Sequence, residues 1–172
     1  MPWHLVSDQS IRDLPVPERF IAYAEAYATA AAALCGQMVS ASGTCTWPNA
    51  AVVLMLAAHA AELFLKGAVL KRDPSAHLDD HCLDTLTGEY NKRFSEAEFV
   101  WNVPFRVEYL GIAEEEIAAL RKSTPVPSIL YRYPVQRGGE EWNGLFGFEP
   151  HSFVSVLEQM GNDFRRIKAR LA

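Results

Sequence analysis

Cysteine is scarce in this chain: three in 172 residues, Cys35, Cys45 and Cys82, an odd number with no Cys-x-x-Cys pair. That argues against a disulfide framework and makes a reducing cytoplasm the expected location. Positive charge is also in short supply. Sixteen Lys and Arg against 21 Asp and Glu leave a net charge of −5, so bulk charge does not carry this chain onto nucleic acid or acidic membrane, and only a local basic patch would. No basic and then apolar leader opens the sequence, and no signal peptide is expected. Long uncharged apolar runs are missing as well. The most apolar stretch, Ala50 to Leu70, is interrupted by His59, Glu62 and Lys66, whereas a membrane span requires about 18 residues free of such groups. Gly138-Gly139 and Gly144 have no Gly-Lys-Ser/Thr sequence beside them, which excludes a phosphate loop.

What is present is a globular balance, 49% hydrophobic and 22% charged residues, in a chain near the size of one domain, about 150 residues. Residues 1–172 read as a single domain with a core large enough to need no staple. Pro15 and Pro17 open a long helix, with Phe20, Ala24, Tyr27, Ala31, Leu34 and Met38 as its apolar stripe. A second helix, about Asn49 to Lys71, is apolar almost all round and is therefore the central one. Asp73-Pro74 breaks it. Asp79 and Asp80 suit the start of a third helix carrying Leu83, Leu86, Tyr90 and Phe94. Residues 99–110 alternate apolar and polar, as a short hairpin or an extended aromatic excursion would. Glu114 to Lys122 reads as a short helix, 124–147 as an irregular connection, and Pro150 to Leu171 as the last helix. The expected fold is all-α: four main helices plus a short one.

Several polar residues stand out against this pattern. At 100° per residue His59, Glu62 and Lys66 share a narrow sector, with Glu62 and Lys66 in the favourable i, i+4 order for an ion pair. They form either a thin solvent-facing seam or a polar stripe lining a cleft or a dimer contact. His77 and His81, four apart beside Asp80 and Asp84, lack a third zinc ligand, and a polar helix start is the simpler reading. Cys82 adjoins His81, but neighbouring helix residues point apart, so a thiol–imidazole pair is not expected. Arg165, Arg166, Lys168 and Arg170 make the one dense basic cluster, either a solvated helix end or a phosphate-contacting patch. Arg72 and His77 have the Arg-x4-His spacing of a pair able to stabilise charge and move a proton on a scissile phosphate.

Three segments carry a family resemblance. Ala57-Ala58-His59-Ala60-Ala61-Glu62-Leu63-Phe64-Leu65-Lys66-Gly67 resembles the central helix of HEPN domains, the higher eukaryote and prokaryote nucleotide-binding family. His81-Cys82-Leu83-Asp84-Thr85-Leu86 is similar to that family's His-x-Leu-x-x-Leu helix opening. Tyr131-Arg132-Tyr133-Pro134 resembles an Arg-Tyr-Pro element before the last helix of some members. In order, the three span roughly half the chain. The resemblance implies a helical bundle, commonly a homodimer, associated with nucleotide or RNA and often set in toxin–antitoxin or phage-defence systems, where a cognate antitoxin or a nucleotidyltransferase would be the partner. It implies no cofactor and no metal. His59, Glu62, Lys66, His81, Arg132 and Tyr133 become the candidate binding residues. Many active members are metal-independent ribonucleases with Arg-x4–6-His near the start of a late helix. This chain departs from that pattern: His151 opens the last helix, yet the nearest upstream arginine, Arg137, is fourteen positions away. The candidate catalytic residues are thus Arg72 with His77, or Arg132 with His151 if folding joins them. The expected function is a binding or regulatory module. The alternatives are a ribonuclease toxin and a plain helical interaction protein.

Overall fold

The computed structural model describes residues 5–105, 113–123, 125–142 and 146–171. Among these every regular element is helical. A single turn, α1 (Gln9–Arg12), precedes two long helices, α2 (Val16–Ser40) and α3 (Trp47–Arg72), joined by a short 3-10 turn at Ser42–Thr44. Then come α4 (Leu83–Arg93), a 3-10 turn at Ala97–Phe99, α5 (Glu114–Ser123), α6 (Pro127–Leu130) and α7 (Pro150–Lys168). The four main helices are α2, α3, α4 and α7, as the periodicity predicts.

α2 and α3 form an antiparallel hairpin, and Gly67 lets them approach. A Cβ at that position would stand 2.7 Å from Ile21 Cγ1 and 2.9 Å from the Pro17 carbonyl oxygen, so only glycine fits against the first turns of α2. Lys71 Nζ closes the same end on Glu18 at 2.7 Å. The residues of α2 that reach the core are Ile21, Ala24, Ala31, Cys35 and Met38. Phe20, Tyr27 and Leu34 are only half-buried. The buried face is thus rotated slightly from the predicted stripe, because small side chains let α2 lie flat on its neighbours while the rings flank the contact.

From Ala57 to Val69 α3 is buried round most of its circumference, packed by α2, α4, α6 and α7. By length and composition it alone among the described helices could cross a bilayer, and 72% of that stretch is covered by the rest of the protein, as in the core helix of a bundle. α7 runs antiparallel to α2: the Cys35 thiol donates to the Pro150 carbonyl at one end, and Lys168 Nζ meets Glu25 at 2.8 Å at the other. Glu149 caps α7 by accepting from the backbone N–H of His151 at 3.1 Å and Ser152 at 2.6 Å. Hydrogen bonding from the Ser152 side chain, together with these backbone bonds, lowers the pKa of its carboxyl to about 2.

The stretch that follows the turn at Ala97–Phe99 is extended coil, not a strand, through residue 103. Phe99, Trp101 and Val103 alternate inward and are buried, so the alternating pattern reports burial against helices instead of sheet pairing. Residues 106–110 of the predicted excursion lie outside the described residues. Trp101 stands edge-on to Phe64 and Phe164, whose rings stack at 4.0 Å and 3°. The Tyr90 hydroxyl donates to the Phe99 carbonyl at 2.8 Å, and burial pushes that hydroxyl's pKa up. Arg166 of α7 ties this coil down, donating to the carbonyls of Glu98 and, at 2.7 Å, Val100.

Candidate functional site

His59, Glu62 and Lys66 come from successive turns of α3, so helical geometry alone puts them on one face. That face is covered. Glu62 is 3% exposed and Lys66 6%, which replaces the solvent-facing seam with a buried polar centre. Between α3 and α4 the chain folds back over it. Asp73 accepts from the backbone N–H and hydroxyl of Ser75 in a tight turn, and Asp80 accepts from the Cys82 N–H at 2.8 Å just before α4. His81, held between these two turns, reaches Glu62 across nineteen residues of sequence.

The Glu62 carboxylate is the hub. Its Oε1 accepts from His81 Nδ1 at 2.8 Å and lies 3.1 Å from Lys66 Nζ. Its Oε2 lies 3.5 Å from the buried Nδ1 of His59, a contact too long to close a good hydrogen bond. Burial by itself would raise the Glu62 pKa. The approach of the His59 imidazole, the hydrogen bonds from Lys66 and His81 and the charge on Lys66 together overcome burial and hold it at about 2. An ionised carboxylate only accepts, so the His81 proton at this contact sits on Nδ1. The His81 side chain remains 64% exposed. The arrangement is a buried carboxylate fixing an exposed imidazole, with a buried ammonium as internal counter-charge. His81 therefore turns toward Glu62, away from any pairing with the Cys82 thiol. Among the described residues no group of three or more His, Cys, Asp or Glu side chains is disposed to hold a metal.

His59 also borders open space. Its ring meets Tyr27 edge-on at 4.8 Å, and together with Arg19, Phe20, Tyr23 and Leu63 they line a groove of about 360 Å³ between α2 and α3. Spacing alone does not single out this groove, although Arg19, Tyr23 and Tyr27 recur every four residues, a single file on one side of α2.

The other candidates fall elsewhere. Arg72 Nη2 pairs with Glu96 at 2.9 Å, and its guanidinium lies 5.1 Å above the Phe94 ring and 6.0 Å from that of Phe99. His77 is exposed in the following loop, and no contact joins it to Arg72 among the described residues. Arg132 and Tyr133 are exposed in the turn after α6, where the Tyr133 carbonyl accepts from Trp142 Nε1 at 2.8 Å. His151 is exposed in the first turn of α7, 3.1 Å from Glu149, and no contact joins it to Arg132. The basic cluster is largely committed to the fold: Arg165 donates to Asn162, Arg166 to Asp163 and two carbonyls, and Lys168 to Glu25.

The chain matches no protein-family model, and no curated protein or solved structure shows significant similarity to it.

Proposed function

We propose that the chain is a HEPN-like helical binding and regulatory module, homodimeric and associated with nucleotide or RNA, and not a ribonuclease. One observation carries this reading. The polar residues of the two segments that resemble the family's central helix and next helix opening, buried Glu62 and Lys66 and the exposed His81, close into one hydrogen-bonded group. Two weak motifs nineteen residues apart gain weight when their side chains share a hydrogen bond. The absence of catalysis is supported by the fate of the Arg–His pairs. Arg72 spends its charge on Glu96 and on two aromatic rings, and neither Arg72 with His77 nor Arg132 with His151 is brought to one point. A phosphorane needs both a cation and a proton carrier within reach of the same atom.

Dimerisation is supported by apolar side chains that one chain leaves uncovered, including Trp47 and Val52 on α3 and Val156 on α7. A cytoplasmic toxin–antitoxin or phage-defence setting, with a cognate antitoxin or nucleotidyltransferase as partner, belongs to the same proposal. The purified protein tests it. Light scattering should return twice the 19.2 kDa chain mass, and the 260/280 nm absorbance ratio should exceed that calculated from the aromatic content. A monomer with a protein-only ratio, adding no bound RNA in a gel-shift series, refutes the module reading.

A further inference from the structure

The groove between α2 and α3 has a composition that defines its occupant. Its walls are aromatic: Phe20, Tyr23 and Tyr27, with the His59 ring set edge-on to Tyr27 at 4.8 Å. Tyr23 is 48% exposed and lines the groove, so one large aromatic side chain there is half open to solvent. Polar atoms sit at the edges of these walls, on two phenol hydroxyls and an imidazole. The His59 Nδ1 is buried beside Glu62, so the exposed part of the ring lies away from that nitrogen. Among the described residues the ionic side chain lining the groove is Arg19. Its guanidinium is fixed by donating from Nε to the Leu14 carbonyl at 2.8 Å and from Nη2 to the Arg12 carbonyl at 2.7 Å. Both acceptors are neutral carbonyls, and among the described residues no carboxylate lines the groove, so the guanidinium is held in place by groups that carry no opposing charge. A ligand matched to these features is planar, apolar on its faces, polar at its edge, and negatively charged at one end.

We propose that this groove binds one nucleoside 5′-monophosphate, its base against the Tyr23 and Tyr27 rings and its phosphate toward Arg19. The inference rests on the nucleotide-associated reading above and places that association at a defined point. A volume of about 360 Å³ is at the lower end of the range for small-molecule sites, roughly 300–1,000 Å³, and suits one nucleotide. Base stacking on an aromatic platform tolerates every base, so the groove selects for nucleotide over sugar phosphate more strongly than among bases.

Calorimetric titration of the 172-residue chain tests this with adenosine 5′-monophosphate, adenosine, ribose 5-phosphate and hexa-adenylate as probes. The monophosphate should saturate one site per chain, adenosine should bind more weakly, and ribose 5-phosphate should not bind. Tyr23→Ala should weaken the monophosphate by about tenfold or more, and Tyr23→Phe by less than about threefold, since the ring alone supplies stacking. The ligand comparison needs no variant and decides the matter even if Tyr23→Ala loses structure in a melting control. Equal binding of monophosphate and ribose 5-phosphate overturns the proposal, as does an unchanged affinity in a folded Tyr23→Ala. Tighter binding of hexa-adenylate than of the monophosphate reassigns the groove to single-stranded RNA and overturns the mononucleotide. If these titrations fail while the purified chain still carries nucleic acid, the groove is wrong and the module reading stands; if both fail, both fall.

Discussion

Replacing Glu62 by Gln keeps the shape of the side chain and removes the charge on which the buried centre depends. Lowering a carboxyl from 4.5 to about 2 on folding is worth roughly 3 kcal/mol at about 1.4 kcal/mol per tenfold. An independent route gives a similar figure. Glu62 is 3% exposed and the Lys66 side chain 8%, and removing one partner of a buried pair costs about 3–5 kcal/mol because the other charge is left uncompensated. Glu62→Gln is therefore expected to lose about 3 kcal/mol in urea unfolding followed by circular dichroism at pH 7, with Tm falling by roughly 6–12 °C. The pH dependence carries a second signature. A carboxyl lowered in the folded state contributes its full stability above its unfolded value near 4.5 and loses it as pH falls toward 2. Wild-type stability should decline through that window with a component that Glu62→Gln lacks. Adding Lys66→Met to Glu62→Gln should restore part of the loss, with a coupling above about 1 kcal/mol, since the stranded ammonium is then gone. A loss below about 0.5 kcal/mol at pH 7, with the same acid slope as wild type, would refute the buried-hub account.

Gly67→Ala removes a residue of low helix propensity, which in an open helix would add about 1 kcal/mol of stability; here the clash with Ile21 and the Pro17 carbonyl reverses the sign, to a loss of about 1–3 kcal/mol in the same unfolding assay. Arg166→Ala takes the guanidinium from two carbonyls and leaves the 7%-exposed Asp163 with Gln159 as its side-chain donor; a loss of about 2 kcal/mol and faster amide exchange in residues 97–103 are expected. The wild type should not cleave single-stranded RNA in EDTA, so expression should cause no toxicity that His77→Ala or His151→Ala relieves; cleavage abolished by Arg72→Ala or His77→Ala would restore the ribonuclease reading.

Helical periodicity was enough to place the four main helices, and the all-round apolarity of Ala50 to Leu70 correctly marked α3 as central. It did not show whether the sector of His59, Glu62 and Lys66 faces water. An i, i+4 pair has the same spacing in either case, and its burial is decided by the loop from Asp73 to Cys82 folding back over α3. That fold-back depends on an Asp73–Ser75 turn and a His81–Glu62 bond, neither of which leaves a periodic trace. The start of α4 moved for a related reason. Asp79 and Asp80 read as first-turn carboxylates, whereas Asp80 bonds the Cys82 N–H and delays the helix to Leu83. Alternation over 99–103 correctly reported which side chains turn inward, but period two does not distinguish a strand from an extended coil laid on helices. The groove beside His59 leaves little trace in the pattern because Tyr27 continues the apolar stripe of α2; the four-residue file Arg19, Tyr23, Tyr27 is its signal.

The aromatic centre described above has a consequence for the order of synthesis. Phe64, Trp101 and Phe164 lie against one another in space, yet they leave the ribosome far apart in time. The α2–α3 hairpin can close once Arg72 has emerged, but Phe64 has no stacking partner until residue 164 follows, roughly ten seconds later at about 5–20 residues per second. Through that interval the nascent chain carries a formed hairpin with an unfinished apolar wall, the kind of exposed surface that favours aggregation over folding. The last helix is thus the step at which the domain stops being sticky and becomes self-contained.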